Sequence, residues 1–105
     1  MDIASAIDDL YSAGWWPSDH EACIRAADGR WYPDEAATTA ALARHGWLVR
    51  YEHTRDGSVR VAWAGPDRLH GAAAAPDPVS ARILVLAALH RAASSAAAPE
   101  PGGIG

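Results

Sequence analysis

Trp47-Leu48-Val49-Arg50-Tyr51-Glu52-His53-Thr54-Arg55-Asp56-Gly57-Ser58-Val59-Arg60-Val61-Ala62-Trp63-Ala64 is the stretch that decides the fold. Trp47, Val49, Tyr51 and His53 alternate with Leu48, Arg50, Glu52 and Thr54, and Val59, Val61 and Trp63 alternate with Ser58, Arg60 and Ala62, so two half-buried strands are expected. Asp56-Gly57 invites a two-residue type I′ turn. That turn would set Tyr51 opposite Ala62 and Val61 opposite Glu52, bringing the apolar face of each strand against the polar face of the other. A three-residue loop of Arg55, Asp56 and Gly57, with Gly57 left-handed in a G1 bulge, instead pairs Tyr51 with Val61, Val49 with Trp63 and Glu52 with Arg60. The three-residue loop is therefore predicted.

Outward from this hairpin the elements extend in both directions. Upstream, Trp31-Tyr32-Pro33 leads to Asp34 as N-cap, Glu35 in the first turn, an alanine-rich helix to Arg44-His45, and Gly46 as C′ residue. Small side chains on this helix let it lie close to a sheet whose tryptophans fill the space. Downstream, Gly65-Pro66-Asp67 turns into a third strand over Arg68 to Ala73, expected to be short or frayed because glycine and alanine are poor strand formers. Asp77-Pro78 then starts a helix, with Asp at the N-cap and Pro at N1, and its Val79, Ile83, Leu86 and His90 stripe is flanked by Leu84 and Leu89. The fold class is α+β: an α-β-β-β-α two-layer sandwich, a three-stranded antiparallel sheet with helices on one face, plus one or two N-terminal helices.

The first of those N-terminal helices follows from Ile3, Ile7, Leu10 and Tyr11, with Gly14 ending the run. A second, from about Asp19 to Ala27, is expected from the capping-box spacing of Ser18 and Glu21 and from a stop at Asp28-Gly29. The expected organisation is one domain over 1–94, with a helical segment at 1–30 and the α-β-β-β-α core at 31–94. A disordered tail is expected at 95–105, where Pro-Glu-Pro-Gly-Gly-Ile-Gly offers little to bury.

Composition narrows the function classes. In 105 residues Phe is absent, so five Trp and three Tyr supply the bulk. A lone Cys23 and the lack of a basic-then-apolar leader imply a reducing, cytoplasmic setting. The longest apolar run, Ile83 to Leu89, is far short of the roughly 20 residues that cross a bilayer, so no membrane partner is expected. All the basic residues are arginine, and the net charge of −4 is unevenly placed. Asp2, Asp8, Asp9, Asp19, Glu21, Asp28, Asp34 and Glu35 precede residue 36 with only Arg25 and Arg30 against them, an acidic segment suited to a basic partner.

Catalytic and metal signatures are thin. His20, Glu21 and Cys23 crowd together, but on a helix His20 and Cys23 supply two ligands where zinc takes four, and the other histidines are scattered. Cys23 has no His at a nucleophile's spacing, and Asp8, Asp9, Asp19 and Glu21 read as charges on helix faces. Neither an enzyme nor a cofactor is expected.

Two binding surfaces remain. Trp15-Trp16 rimmed by Asp8, Asp9, Asp19 and Glu21 has the make-up of a protein-interaction hot spot. The outer sheet face of Arg50, Glu52 and Arg60 is the competing surface and would suit nucleic acid.

The order helix, three strands, helix resembles double-stranded RNA-binding domains, as do Gly65-Pro66-Asp67 and the alanine-bearing final helix. Here that turn follows the second strand rather than the first. The final helix opens Asp77-Pro78-Val79-Ser80-Ala81-Arg82, without a lysine cluster for phosphates. Trp31-Tyr32-Pro33-Asp34 before an alanine-rich helix, Gly46-Trp47 opening a strand, and Ala75-Pro76-Asp77-Pro78 before the final helix resemble small bacteriophage proteins with a phage ABA sandwich domain. That resemblance spans roughly residues 31 to 93. It implies a fold similar to the RNA-binding domain and a phage or prophage origin, and it brings no catalytic residue. With such an origin, an acidic inhibitor of a host defence complex, of the anti-CRISPR kind, becomes the specific expectation, its partner a host or phage protein with a basic surface.

Overall fold

In the computed structural model, residues 3–17, 23–66 and 69–97 are described. The chain runs α1 (Ile3–Ser12), β1 (Cys23–Arg25), β2 (Trp31–Pro33), α2 (Glu35–Arg44), β3 (Leu48–His53), β4 (Val59–Ala64), β5 (His70–Ala75) and α3 (Pro78–Ala97). The fold is α+β, with an antiparallel sheet in the order β3-β4-β5 and a separate two-stranded sheet of β1 and β2.

The central hairpin has the register required by its apolar pattern. Tyr51 pairs with Val61, Val49 with Trp63 and Glu52 with Arg60. The loop is three residues long: Thr54 N–H donates to the Ser58 carbonyl at 3.0 Å, and Gly57 takes φ 87°, which L side chains rarely adopt. Val59 and Val61 are buried, while Arg60, Ala62 and Ala64 on the opposite face are exposed, so one sheet face is covered along β4 and the other is open; at the β3 edge Tyr51 and His53 of the covered face are exposed. β5 is a full strand paired along all of β4, two residues displaced from the expected Arg68 to Ala73 and not frayed. Packing overrides propensity here. The Trp63 ring lies over Gly71, where an added Cβ would fall 2.6 Å from it, so a glycine makes room for the indole that covers the strand. On the same face Trp47 and Trp63 stack with centroids 6.3 Å apart.

α2 and α3 start at the expected caps. The Asp34 carboxylate accepts from Ala37 N–H at 2.8 Å and that of Asp77 from Ser80 N–H at 2.7 Å. The two buried polar side chains of the core are satisfied by the same turns: Thr38 Oγ1 donates to the Asp34 carbonyl, and Ser80 Oγ donates to the Asp77 carboxylate. α3 is buried on nearly every side from Ser80 to Ala87 because β4 and β5, α2 and α1 all pack against it. It continues past Ser95, where a tail was expected to begin, to Ala97.

The second N-terminal helix, expected over Asp19 to Ala27, is corrected. Cys23–Arg25 is a strand paired antiparallel with Trp31–Pro33, so the 1–30 segment is not wholly helical. Residues 18–22, and with them the Ser18–Glu21 capping box, lie outside the described residues. Asp28-Gly29 is the tip of this hairpin and not a helix stop. Its loop repeats the Arg55-Asp56-Gly57 design: Ala26 N–H donates to the Arg30 carbonyl at 2.7 Å, and Gly29 takes φ 90°.

Candidate functional site

The end of α1 settles the fate of the two adjacent tryptophans. Gly14 adopts φ 101°, and Trp15 N–H turns back to the Leu10 carbonyl at 3.3 Å, closing the helix in the manner of a Schellman motif. This reversal tucks Trp15 under α1, where it is 3% exposed, and leaves the next side chain, Trp16, 77% exposed.

Trp16 does not stand alone. Its ring centroid is 6.3 Å from that of Tyr11, which is in turn 5.6 Å from Trp15. The Tyr11 hydroxyl donates to the Trp31 carbonyl at 2.8 Å and accepts from Trp31 N–H at 3.2 Å, tying β2 to α1. Trp31 and Ile24 are both partly exposed. Register sets Arg25 opposite Trp31, and the Arg25 guanidinium lies 5.9 Å from the Trp31 ring centroid. Arg30 lies 5.8 Å from the Tyr11 ring. The outcome is an aromatic corner of Trp16, Tyr11 and Trp31 braced by two arginines.

Charge at the corner is organised by Arg30. Its guanidinium pairs with Asp8, donates to Asp28 Oδ2 at 2.8 Å and reaches the Ala4 carbonyl at 3.1 Å. The Arg30 side chain, and then its backbone N–H, hold the Asp28 carboxyl below the usual carboxylate range, and the carboxylates in turn raise the Arg30 guanidinium. Asp9 pairs with Arg91 of α3, whose guanidinium also donates to the Asp9 carbonyl at 3.2 Å. Two of the four carboxylates expected to rim the corner are thus engaged with arginines distant in sequence.

Of the expected contact residues, Trp16 is exposed, Asp8 and Asp9 are at the surface in ion pairs, and Asp19 and Glu21 lie outside the described residues. Trp15 belongs to the core and cannot meet a partner directly, because the αL turn at Gly14 folds it inward. Tyr11, Arg25, Arg30 and Trp31 join the surface without having been expected there. Arg25 and Trp31 become neighbours only across the β1–β2 hairpin, so recognising Ala27-Asp28-Gly29 as a hairpin loop is the signal that would have found them.

The competing surface lies on the open sheet face. Arg50, Glu52 and Arg60 are exposed there, with Glu52 opposite Arg60. Leu48 is also exposed, over a floor of Ala62, Ala64, Ala72 and Ala74.

Among the described residues no group of three or more His, Cys, Asp and Glu side chains is placed to hold a metal ion. Cys23 sits in a strand rather than on the expected helix, and His20 and Glu21 are outside the described residues. A cleft between α2 and α3, lined by Arg44, His45, Leu86, Leu89 and His90, measures about 100 Å³. Pockets for metabolites run to about 300–1,000 Å³, so this cleft is too small for one. No helix among the described residues is long and apolar enough to cross a membrane.

Comparison with known proteins gives no matching family, no matching curated protein and no matching solved structure.

Proposed function

We propose that the chain is a non-enzymatic accessory protein, of phage or prophage type, that acts by binding another protein through the Trp16 corner. The observation that carries this reading is the 77% exposure of the Trp16 side chain beside the Tyr11 ring. Leaving an indole in water forgoes roughly 2–3 kcal/mol of burial free energy, and exposed tryptophans backed by rigid neighbours are the usual anchors of protein interfaces. Tyr11 and Trp31 are fixed to each other by hydrogen bonds, so that side of the Trp16 corner is held before a partner arrives, which lowers the entropic cost of association.

The partner would be a host or phage protein with a basic surface. An acidic N-terminal third favours encounter with arginine-rich faces that otherwise meet phosphates, as for an inhibitor of a host defence complex of the anti-CRISPR kind. Arg50 and Arg60 on the open sheet face favour a second reading, a nucleic-acid-binding module, but Glu52 stands opposite Arg60 and lowers the positive potential there.

Affinity capture from host lysate with the wild-type chain, Trp16→Ala, and the double variant Arg50→Ala/Arg60→Ala tests the assignment. A specific protein retained by the wild type and by the double variant, and lost with Trp16→Ala, is expected. Loss with the double variant alone, or salt-sensitive retention of nucleic acid in its place, contradicts it.

A further inference from the structure

We infer that two copies of this chain associate through β5, edge to edge, to form one continuous six-stranded antiparallel sheet. β5 is an outer strand, paired with β4 on one side only. Edge strands present a row of backbone donors and acceptors, and proteins that stay monomeric guard them with charged side chains, proline, a bulge or a covering element. Charge, proline and bulge are all missing over 71–75. The segment reads Gly71-Ala72-Ala73-Ala74-Ala75, its pairing with β4 is unbroken by a bulge, and none of its own side chains is larger than a methyl group. The opposite edge of the same sheet, β3, carries Arg50, Glu52 and His53.

The ladder shows which groups of β5 point outward. Gly65 N–H bonds to the Leu69 carbonyl at 2.7 Å, and bonded pairs recur every second residue in an antiparallel ladder. Gly71, Ala73 and Ala75, opposite Trp63, Val61 and Val59, therefore spend their N–H and C=O groups on β4. Ala72 and Ala74 direct theirs away from it.

A partner strand must also keep covered-face residues on the covered face. Gly71, Ala73 and Ala75 lie on that face and Ala72 and Ala74 on the open one, so only registers joining residues of the same parity qualify. A twofold axis through Ala73 satisfies both conditions. It sets Ala72 opposite Ala74 of the second copy and Ala74 opposite its Ala72, each pair exchanging two backbone hydrogen bonds. Gly71 then faces Ala75 of the second copy, and the Trp63 ring over Gly71 extends toward the junction. α3 packs on both β4 and β5.

A second copy is the favoured occupant because the edge is complementary to itself: uncharged over 71–75, alike in side-chain size, and matched in face and in hydrogen-bond phase. The Trp16 corner lies elsewhere on the molecule, so the two surfaces are tested separately.

Sedimentation equilibrium under reducing conditions, which excludes a Cys23 disulfide, is the test. The wild type is expected to show twice the monomer mass. Ala72→Pro removes an N–H that faces away from β4, so it should keep the circular dichroism spectrum and show monomer mass. Ala72→Glu/Ala74→Glu sets carboxylates opposite one another and should also be monomeric, whereas Ala72→Glu/Ala74→Arg should restore the dimer. A wild type that is monomeric throughout the concentration series overturns the inference. So does a dimer that survives both Ala72→Pro and Ala72→Glu/Ala74→Glu, and failure of the charge-matched pair to restore association overturns the register.

Discussion

A methyl group at Gly71 would lie 2.6 Å from Trp63 Cζ2, closer than real Cβ contacts come. The ring belongs to a stacked pair with Trp47 and has little freedom to retreat. Gly71→Ala is therefore expected to destabilise the fold by about 1–3 kcal/mol, the usual cost of overpacking, as a lower urea midpoint; an unchanged midpoint would place Trp63 elsewhere. Asp56 gives a second prediction at this scale. Hydrogen bonds from the Ser58 and Thr54 hydroxyls and from Ser58 N–H hold its carboxyl down to about 2. A depressed carboxylate stabilises the fold above its unfolded value of about 4, and that contribution fades as pH falls toward 2. Thermal melts of wild type and Asp56→Ala should differ at pH 7 and draw together by pH 2; a gap unchanged at pH 2 would show that ionisation of Asp56 does not contribute. Trp15 and Trp16 mark the limit of what residue types alone convey. Their opposite fates depend on the backbone angle at Gly14, which composition and spacing do not reveal.

At the scale of elements, two hairpins use one loop design, and only one was legible. β3 and β4 are six residues each, long enough for alternation to fix face and register. β1 and β2 are three residues each, too short to display a period. The Arg30–Asp8 and Arg91–Asp9 pairs span 22 and 82 residues, so nothing local announces them. β5 was legible as a strand but not in its extent, because the Trp63 ring that stabilises it comes from β4. The short hairpin is tied to α1 by Arg30 and by Tyr11, and Tyr11→Phe removes both hydrogen bonds to Trp31. It is expected to cost about 1 kcal/mol, and amide exchange at Trp31 should quicken while that of β4 stays slow. Equal protection at Trp31 in both proteins would mean that the hairpin holds itself.

The whole molecule is built around α3, wedged between the sheet, α2 and α1. Ile7 fastens α1 to that arrangement as a fully buried side chain, and Ile7→Ala should cost about 2–5 kcal/mol in a urea titration, whereas a loss under about 1 kcal/mol would mean that α1 is only loosely attached. Alternation placed Val49, Tyr51, Val61 and Trp63 on one face of the meander, and the fold buries Val61 fully and Val49 and Trp63 in part but leaves Tyr51 40% exposed. The proposed contact surface was readable only in part, as an acidic segment with a tryptophan pair, because its other members come together through the hairpin. Among the described residues Trp16 is the most exposed indole, set beside Tyr11, and the proposed activity rests on it. The most direct test is the equilibrium affinity of the captured partner for the wild-type chain and for Trp16→Ala, each confirmed to have the same melting temperature. A loss of about thirty-fold, a hot-spot contribution of roughly 2 kcal/mol, is expected; equal affinities would contradict the assignment.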